Sequence, residues 1–335
     1  MKKRYVTSLT IFFALAPFLA ALVCLGIGRY ELTVFETVEA IIDALTGKPL
    51  DATVQSVLFK VRLPRIVLAL LVGAGLAVAG TSFQSLFSNP LATPDTLGVA
   101  TGASFGAVLA LLLCNNSVIV QLSALLFGLI SLAITCLVSR LNGKSSIIMV
   151  VLSGMVVSSI FQALVSLVKY TADTEEKLPA ITYWLMGSMS RAAVSGLLIG
   201  TPFIVVGIGI LFALRWRLNI LSLNEDEAKS LGVDVRKLRA LVMIAATMVT
   251  ASCVSMCGQV GWVGLLVPHA ARMIYGSDNK KLIPAGIGMG ATFMIVIDTV
   301  ARAATSAEIP VSILTALIGA PFFVLLLRKT GGAKL

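Results

Sequence analysis

The stretch Arg62-Leu-Pro-Arg-Ile-Val-Leu-Ala-Leu-Leu-Val-Gly-Ala-Gly-Leu-Ala-Val-Ala-Gly-Thr-Ser-Phe-Gln84 opens on two arginines and then runs to Gln84 without a charge. A bilayer core about 30 Å thick needs about 20 apolar residues per helical span, so 62–84 reads as one crossing. Runs of the same kind lie near 7–28, 94–114, 118–140, 145–168, 193–214, 239–257, 259–275, 282–303 and 311–328. The eighth is short, and the pair around Gly258–Gly264 is the least sharply divided. The 335 residues are 58% hydrophobic and only 13% charged, against about 25% charged in soluble domains. Barrel strands would alternate in polarity, and these unbroken runs do not. The expectation is an all-α polytopic membrane protein with about ten transmembrane helices, forming a single domain over 1–335.

The basic residues orient the chain. With the N-terminus inside, the cytoplasmic segments hold 17 of the 26 Lys and Arg residues, as the positive-inside rule requires. Both termini then lie in the cytoplasm and the protein sits in the cytoplasmic (inner or plasma) membrane. The net charge of +10 is a topology signal, and no nucleic-acid partner is expected. Met1-Lys-Lys-Arg4 also resembles a signal peptide, but the apolar run continues to Gly28 without a clear small-x-small cleavage site. An uncleaved first span fits better.

Several chemistries find no support. The cysteines at 24, 114, 136, 253 and 257 lie in or beside apolar runs and read as buried free thiols. Cys253 and Cys257 share a helical face, but a metal site needs more ligands and His269 is distant in sequence. No metal site or other cofactor is expected. Gly143-Lys144-Ser145 imitates the end of a phosphate loop, yet position 138 is Val where that motif needs Gly, so the fragment reads as a turn. Ion-coupled carriers place ionisable residues in their spans. Here Asp298 is the clearest carboxylate inside one, with Arg302 four residues on, and an ion pair along the helix is the simplest use for it. A pathway-sized membrane domain without an engine points to an engine supplied in trans.

Three constellations remain. Leu221-Ser-Leu-Asn-Glu-Asp-Glu-Ala-Lys-Ser-Leu-Gly-Val233, within a cytoplasmic segment 215–238, is written as a short capped helix. Asn224 is a good N-cap and Glu227 completes a capping box. Glu225, Asp226 and Glu227 suit the positive end of the dipole, and Gly232 terminates the helix. Ala228 and Leu231 give it a small apolar edge suited to a partner's groove; a solvated loop helix is the plainer alternative. Arg62 and Arg65 at the external mouth of the second span either snorkel, which the residues alone favour, or receive carboxylates. Gly98, Gly102 and Gly106 form a small-residue stripe, serving helix packing within one subunit or a dimer contact.

In fixed order the chain carries Arg62-Leu-Pro-Arg65, Gly80-x3-Gln84, Asn89-Pro-Leu-Ala-x-Pro94, Leu97-Gly98, Tyr183-Trp-Leu-Met-Gly187 and Ala228-x2-Leu231-Gly232. There follow Gly261-x2-Gly264-Leu-x-Val-Pro-His-x2-Arg272, Asp298-x3-Arg302, Glu308-Ile-Pro-Val311 and Thr315-x3-Gly319-Ala-Pro-x-Phe323. From about residue 55 to 328 this resembles the iron-chelate and cobalamin ABC-importer permease family (the FecCD type). The resemblance implies type II importer permease architecture and a second permease subunit, in a homodimer or heterodimer. It also implies two ATPase subunits at the cytoplasmic face and an extracytoplasmic substrate-binding protein. It assigns 221–233 to ATPase contact and Arg62, Arg65 and Arg302 to binding-protein docking, with Asp298 orienting Arg302. It places the pathway between the fifth and tenth spans, 145–168 and 311–328. His269 matches the pattern too, and its place in Val-Pro-His suits breaking and shaping the helix rather than catalysis.

The implied function is transport of a metal chelate, ferric siderophore first, with haem or cobalamin compatible. Three alternatives stand beside it: an ion- or proton-coupled secondary carrier, a permease for bare zinc or manganese, and a membrane enzyme or scaffold. A single His argues against the second, and no nucleophile–base set supports the third.

Overall fold

The structure, a computed structural model, describes residues 2–114, 116–139, 147–190, 194–223 and 225–330. Among them every regular element is a helix. In chain order these are α1 (Lys2–Gly26), α2 (Val34–Thr46), α3 (Ala52–Gln55), α4 (Leu63–Leu86), α5 (Val99–Leu113), α6 (Ser117–Val138) and α7 (Ile147–Thr171). Then come α8 (Lys177–Leu185), α9 (Val194–Ala213), α10 (Glu225–Ser230), α11 (Val235–Cys257), α12 (Val263–Tyr275), α13 (Asn279–Ala303) and α14 (Val311–Thr330). One helix falls on each of the ten apolar runs. Among the described residues seven are long and apolar enough to cross a membrane, α3 and α4 counting as one continuous stretch. With 13 residues, α12 reaches about 20 Å, short of a bilayer core. It follows the non-helical residues 258–262, where Gly258 and Trp262 have φ of +76° and +69°. Irregular backbone at such depth is tolerated where it lines a cavity.

The second span starts earlier than Pro64. Asp51 caps α3 by accepting from the amides of Thr53 and Val54, and Ser56–Arg62 continues as a wider π-helical turn into α4. Proline has no N–H to return to the preceding turn, and the widened turn, with Leu63 donating to the Leu58 carbonyl, absorbs the defect.

Almost every residue of α4 is buried, as expected of a helix that is apolar all round. Its closest partner is α13. The two backbones meet at Gly73 and Gly290, where a Cβ on either would run into the other's carbonyl. Two turns further, Gly80 meets the Gly264 backbone of α12 in the same way. The Gly98–Gly106 stripe serves packing within the chain: a Cβ on Gly102 would lie 2.6 Å from Cβ of Ser131, and one on Gly106 would meet the Ser123 carbonyl, both on α6. Large apolar side chains stay exposed along α7 (Ile148, Leu152, Met155, Val156, Ile160) and α14 (Leu317, Ile318, Leu325). The five cysteines are free, and Cys257 Sγ donates to the Cys253 carbonyl at 3.1 Å.

Candidate functional site

Charge gathers at the end of the α4–α13 pair that carries Arg65. Its Nη2 donates to Asp298 Oδ1 at 2.7 Å and its Nε to Oδ2 at 3.2 Å. Its Nη1 donates to both oxygens of Glu308, at 2.9 and 3.0 Å. The expected Asp298–Arg302 pair is therefore corrected: Asp298 is taken by Arg65, from the neighbouring helix. The glycine contact brings α4 so near that the guanidinium fork meets the carboxylate edge-on, the strongest geometry for such a pair. Arg302 turns instead to α1 and donates to the Cys24 carbonyl. Arg62 donates to the carbonyls of Leu25 at 2.6 Å, Gly26 at 3.0 Å and Tyr30. The last carbonyls of a helix lack intrahelical partners and carry its negative dipole end, so these two arginines cap α1.

All three arginines lie under the surface, with 3%, 4% and 7% of Arg62, Arg65 and Arg302 exposed. The loop after α1 passes so close that a Cβ on Gly28 would sit 2.5 Å from Arg62 Nη2 and 3.2 Å from Arg302 Nη1. At this end the chain presents the exposed Arg29, whose guanidinium donates to the Thr305 and Ser306 carbonyls, and the part-exposed Glu308. Glu308 adopts φ +54°, a conformation costly for a non-glycine residue and held here by its bond to Arg65.

A cavity of about 470 Å³ opens midway along the bundle. Its polar lining comes from Thr93, Asp95, Thr101, Gln162, Thr250, Gln259 and Ser312. The loop before α5 and the irregular 259–262 backbone supply much of the wall, while α7 contributes Gln162 and α14 contributes Ser312 and Ala316. Asp95 makes no ion pair among the described residues. Its backbone carbonyl accepts from Gly98 N and Ser158 Oγ, which fixes the loop. The sequence reading did not single out Asp95, Gln162 or Gln259. For Asp95 a signal existed: it stands inside the quoted run between Pro94 and Leu97-Gly98. His269 packs edge-on against Phe323 of α14, ring centroids 6.2 Å apart, and beside it Trp262 fills the space left by Gly319.

At the opposite end, α10 confirms a helix over Glu225–Ser230. Asn224 and the side chains of Glu225 and Asp226 lie outside the described residues, so the capping box does too. Gly232 closes the helix at φ +74°, with Val233 N–H reaching the Ala228 carbonyl at 3.4 Å, the six-to-one bond of a Schellman ending. The expected apolar edge is divided: Ala228 is 1% exposed and joins the core, whereas Leu231 is 60% exposed. Asp234 caps α11, accepting from the Lys237 amide, and that bond holds its carboxyl below the usual range.

Residues 15–329 match the FecCD transport family. The chain is 45% identical over 312 residues to the molybdate import system permease protein MolB of Haemophilus influenzae, covering 93% of this chain and 92% of that one. It is 41% identical over 277 residues to the cobalamin import system permease protein BtuC of Halobacterium salinarum, covering 82% and 74%. An inward-facing structure of a metal-chelate type ABC transporter superimposes with TM-score 0.87 and 43% identity, covering 96% of this chain and 99% of that one. The matched region takes in the buried arginine clasp, the cavity and the α10 segment together. The chain belongs to the FecCD transport family and is a multi-pass membrane permease subunit of an ABC importer, a transport protein rather than an enzyme.

Proposed function

We propose that this permease carries a metal chelate inward, ferric siderophore foremost, with haem and cobalamin of compatible chemistry. The supporting observation is the cavity, walled by amides, hydroxyls and apolar groups with the single carboxylate of Asp95, too few ligands to draw a metal out of its chelator. A substrate-binding protein delivers the cargo outside, and two ATPase subunits drive the cycle from the cytoplasm, where both termini of the ten-span chain lie. A second permease subunit, identical or a sister, packs against the exposed faces of α7 and α14 and completes the pathway. ATPase contact falls on 224–232, through the exposed Leu231. Docking onto Arg62, Arg65 and Arg302 requires the loops around Gly28 and Glu308 to move aside.

The relative named for molybdate import favours a second reading, a bare oxyanion. Against it stands the Asp95 carboxyl: when ionised it would repel an oxyanion about 4 Å away by about 4 kcal/mol at an effective dielectric of 20, and would not repel a neutral chelate. The test is uptake into proteoliposomes holding permease, ATPase and binding protein. Radiolabelled ferric siderophore should accumulate with ATP; accumulation of molybdate alone would establish the second reading instead.

A further inference from the structure

Both ends of the α4–α13 pair are closed by polar clasps, and the second clasp reaches the ATPase side. Ser85, near the end of α4, donates to Asn279 Oδ1 at 2.9 Å. Asn279 is the first residue of α13 and is 2% exposed; its backbone N–H donates to Asn219 Oδ1 at 2.9 Å. The Asn219 side chain returns a bond to Asp278 Oδ1 at 2.9 Å, and Asp278 also accepts from the Lys280 amide as the N-cap of α13. Asn219 belongs to the 3₁₀ segment Arg217–Ser222, which leads directly into α10. Between the clasps the two backbones touch directly, Gly73 against Gly290, with no space for a Cβ on either.

We propose that α4 and α13 move as one rod, and that Asn219 is the positioning residue pinning the ATPase-coupling segment to its cytoplasmic end. Closely packed helices bonded to each other at both ends transmit displacement rather than absorb it. Asparagine suits the pin because its amide both donates and accepts, giving two bonds in a fixed direction. A movement imposed at Arg65 and Asp298 by docking would thus reach α10 through the rod. This rests on the proposed contact between 224–232 and the ATPase, and the test separates the two.

The assembled permease–ATPase complex in nanodiscs is measured with and without the purified binding protein, and the readout is the ratio of stimulated to basal ATP hydrolysis. Asn219→Asp sets two carboxylates against each other. It should lower that ratio about fivefold or more, the lower range of coupling between sites, while the ATPase still co-purifies. Adding Asp278→Asn recreates a donor and an acceptor across the clasp, and should return the ratio to within about twofold of wild type. Asn219→Ala, which removes the pin without adding charge, should also lower it. A wild-type ratio in Asn219→Asp or Asn219→Ala, or no recovery in the double variant at equal membrane abundance, overturns the proposal. Leu231→Arg separates the failures: ATPase association unchanged in that variant sinks the contact reading, whatever the clasp variants do.

Discussion

The two ends of the molecule handle charge in opposite ways. Around Arg65, three arginines and Asp298 lie buried in mutual contact or against helix carbonyls. Around α10, Leu231 and Gly232 stand open, and Asp234 and Lys237 pair on the surface at 3.4 Å. The motif resemblance makes docking surfaces of both segments, although the residues alone favour snorkelling for Arg62 and Arg65. The α10 segment leaves Leu231 open, whereas the arginines of the other are closed in a clasp. A buried charge pair is costly to break because the remaining partner is stranded, whereas an exposed one contributes little.

Breaking the clasp should have the largest effect. Asp298→Ala leaves Arg65 without its bidentate partner and should cost about 3–5 kcal/mol. The measurement is the melting temperature and monodisperse yield in detergent, and an unchanged Tm would refute the buried-clasp description. Next comes Ala228→Arg, which forces a charge into the core beneath α10 and should cost about 2 kcal/mol or more. Leu231→Arg, three residues away, should shift stability by no more than about 0.5 kcal/mol yet weaken ATPase association. Equal thermal stability of these two variants would erase the division of the α10 edge.

Smaller effects sharpen the contrast. Glu308→Gln keeps Asp298 in place and removes a part-exposed partner, so about 1 kcal/mol is expected, with easier opening read as a higher affinity for binding protein. Gly232→Ala meets open space but an unfavourable φ, and should cost about 1 kcal/mol, read as a drop in melting temperature. The least effect concerns pH. Burial pushes the Asp278 carboxyl up, but the bonds from Asn219 and the Lys280 amide outweigh it and leave it below the usual range. A lowered folded pKa gives a stabilisation present above the unfolded value and lost only as pH falls through the folded one. The stimulated-to-basal ratio should therefore show no contribution from this group between about pH 5 and 8; a step in that interval that disappears in Asp278→Asn would contradict it.

Helices were legible wherever apolar runs exceeded the bilayer requirement, as in 62–84 and 282–303. The start of α4 was not, because Pro64 looks like a first-turn residue and the widened turn before it has no sequence signature. The amphipathic α2 lies outside every apolar run, although Thr33 and Glu36 form a full capping box there.

By itself the sequence determined the class, the number of apolar segments, the glycine positions and the ordered motifs that carry the family. Those follow from length against bilayer thickness and from backbone conformations that only glycine adopts readily. Tertiary structure alone decided the partners of charge. Arg302 stands four residues from Asp298 on one helix, the spacing that predicts a pair, yet Arg65, 233 residues away along the chain, takes the carboxylate. Local spacing limits which side chains can meet. The approach of α4 through Gly73 and the free carbonyls at the end of α1 settle which ones do.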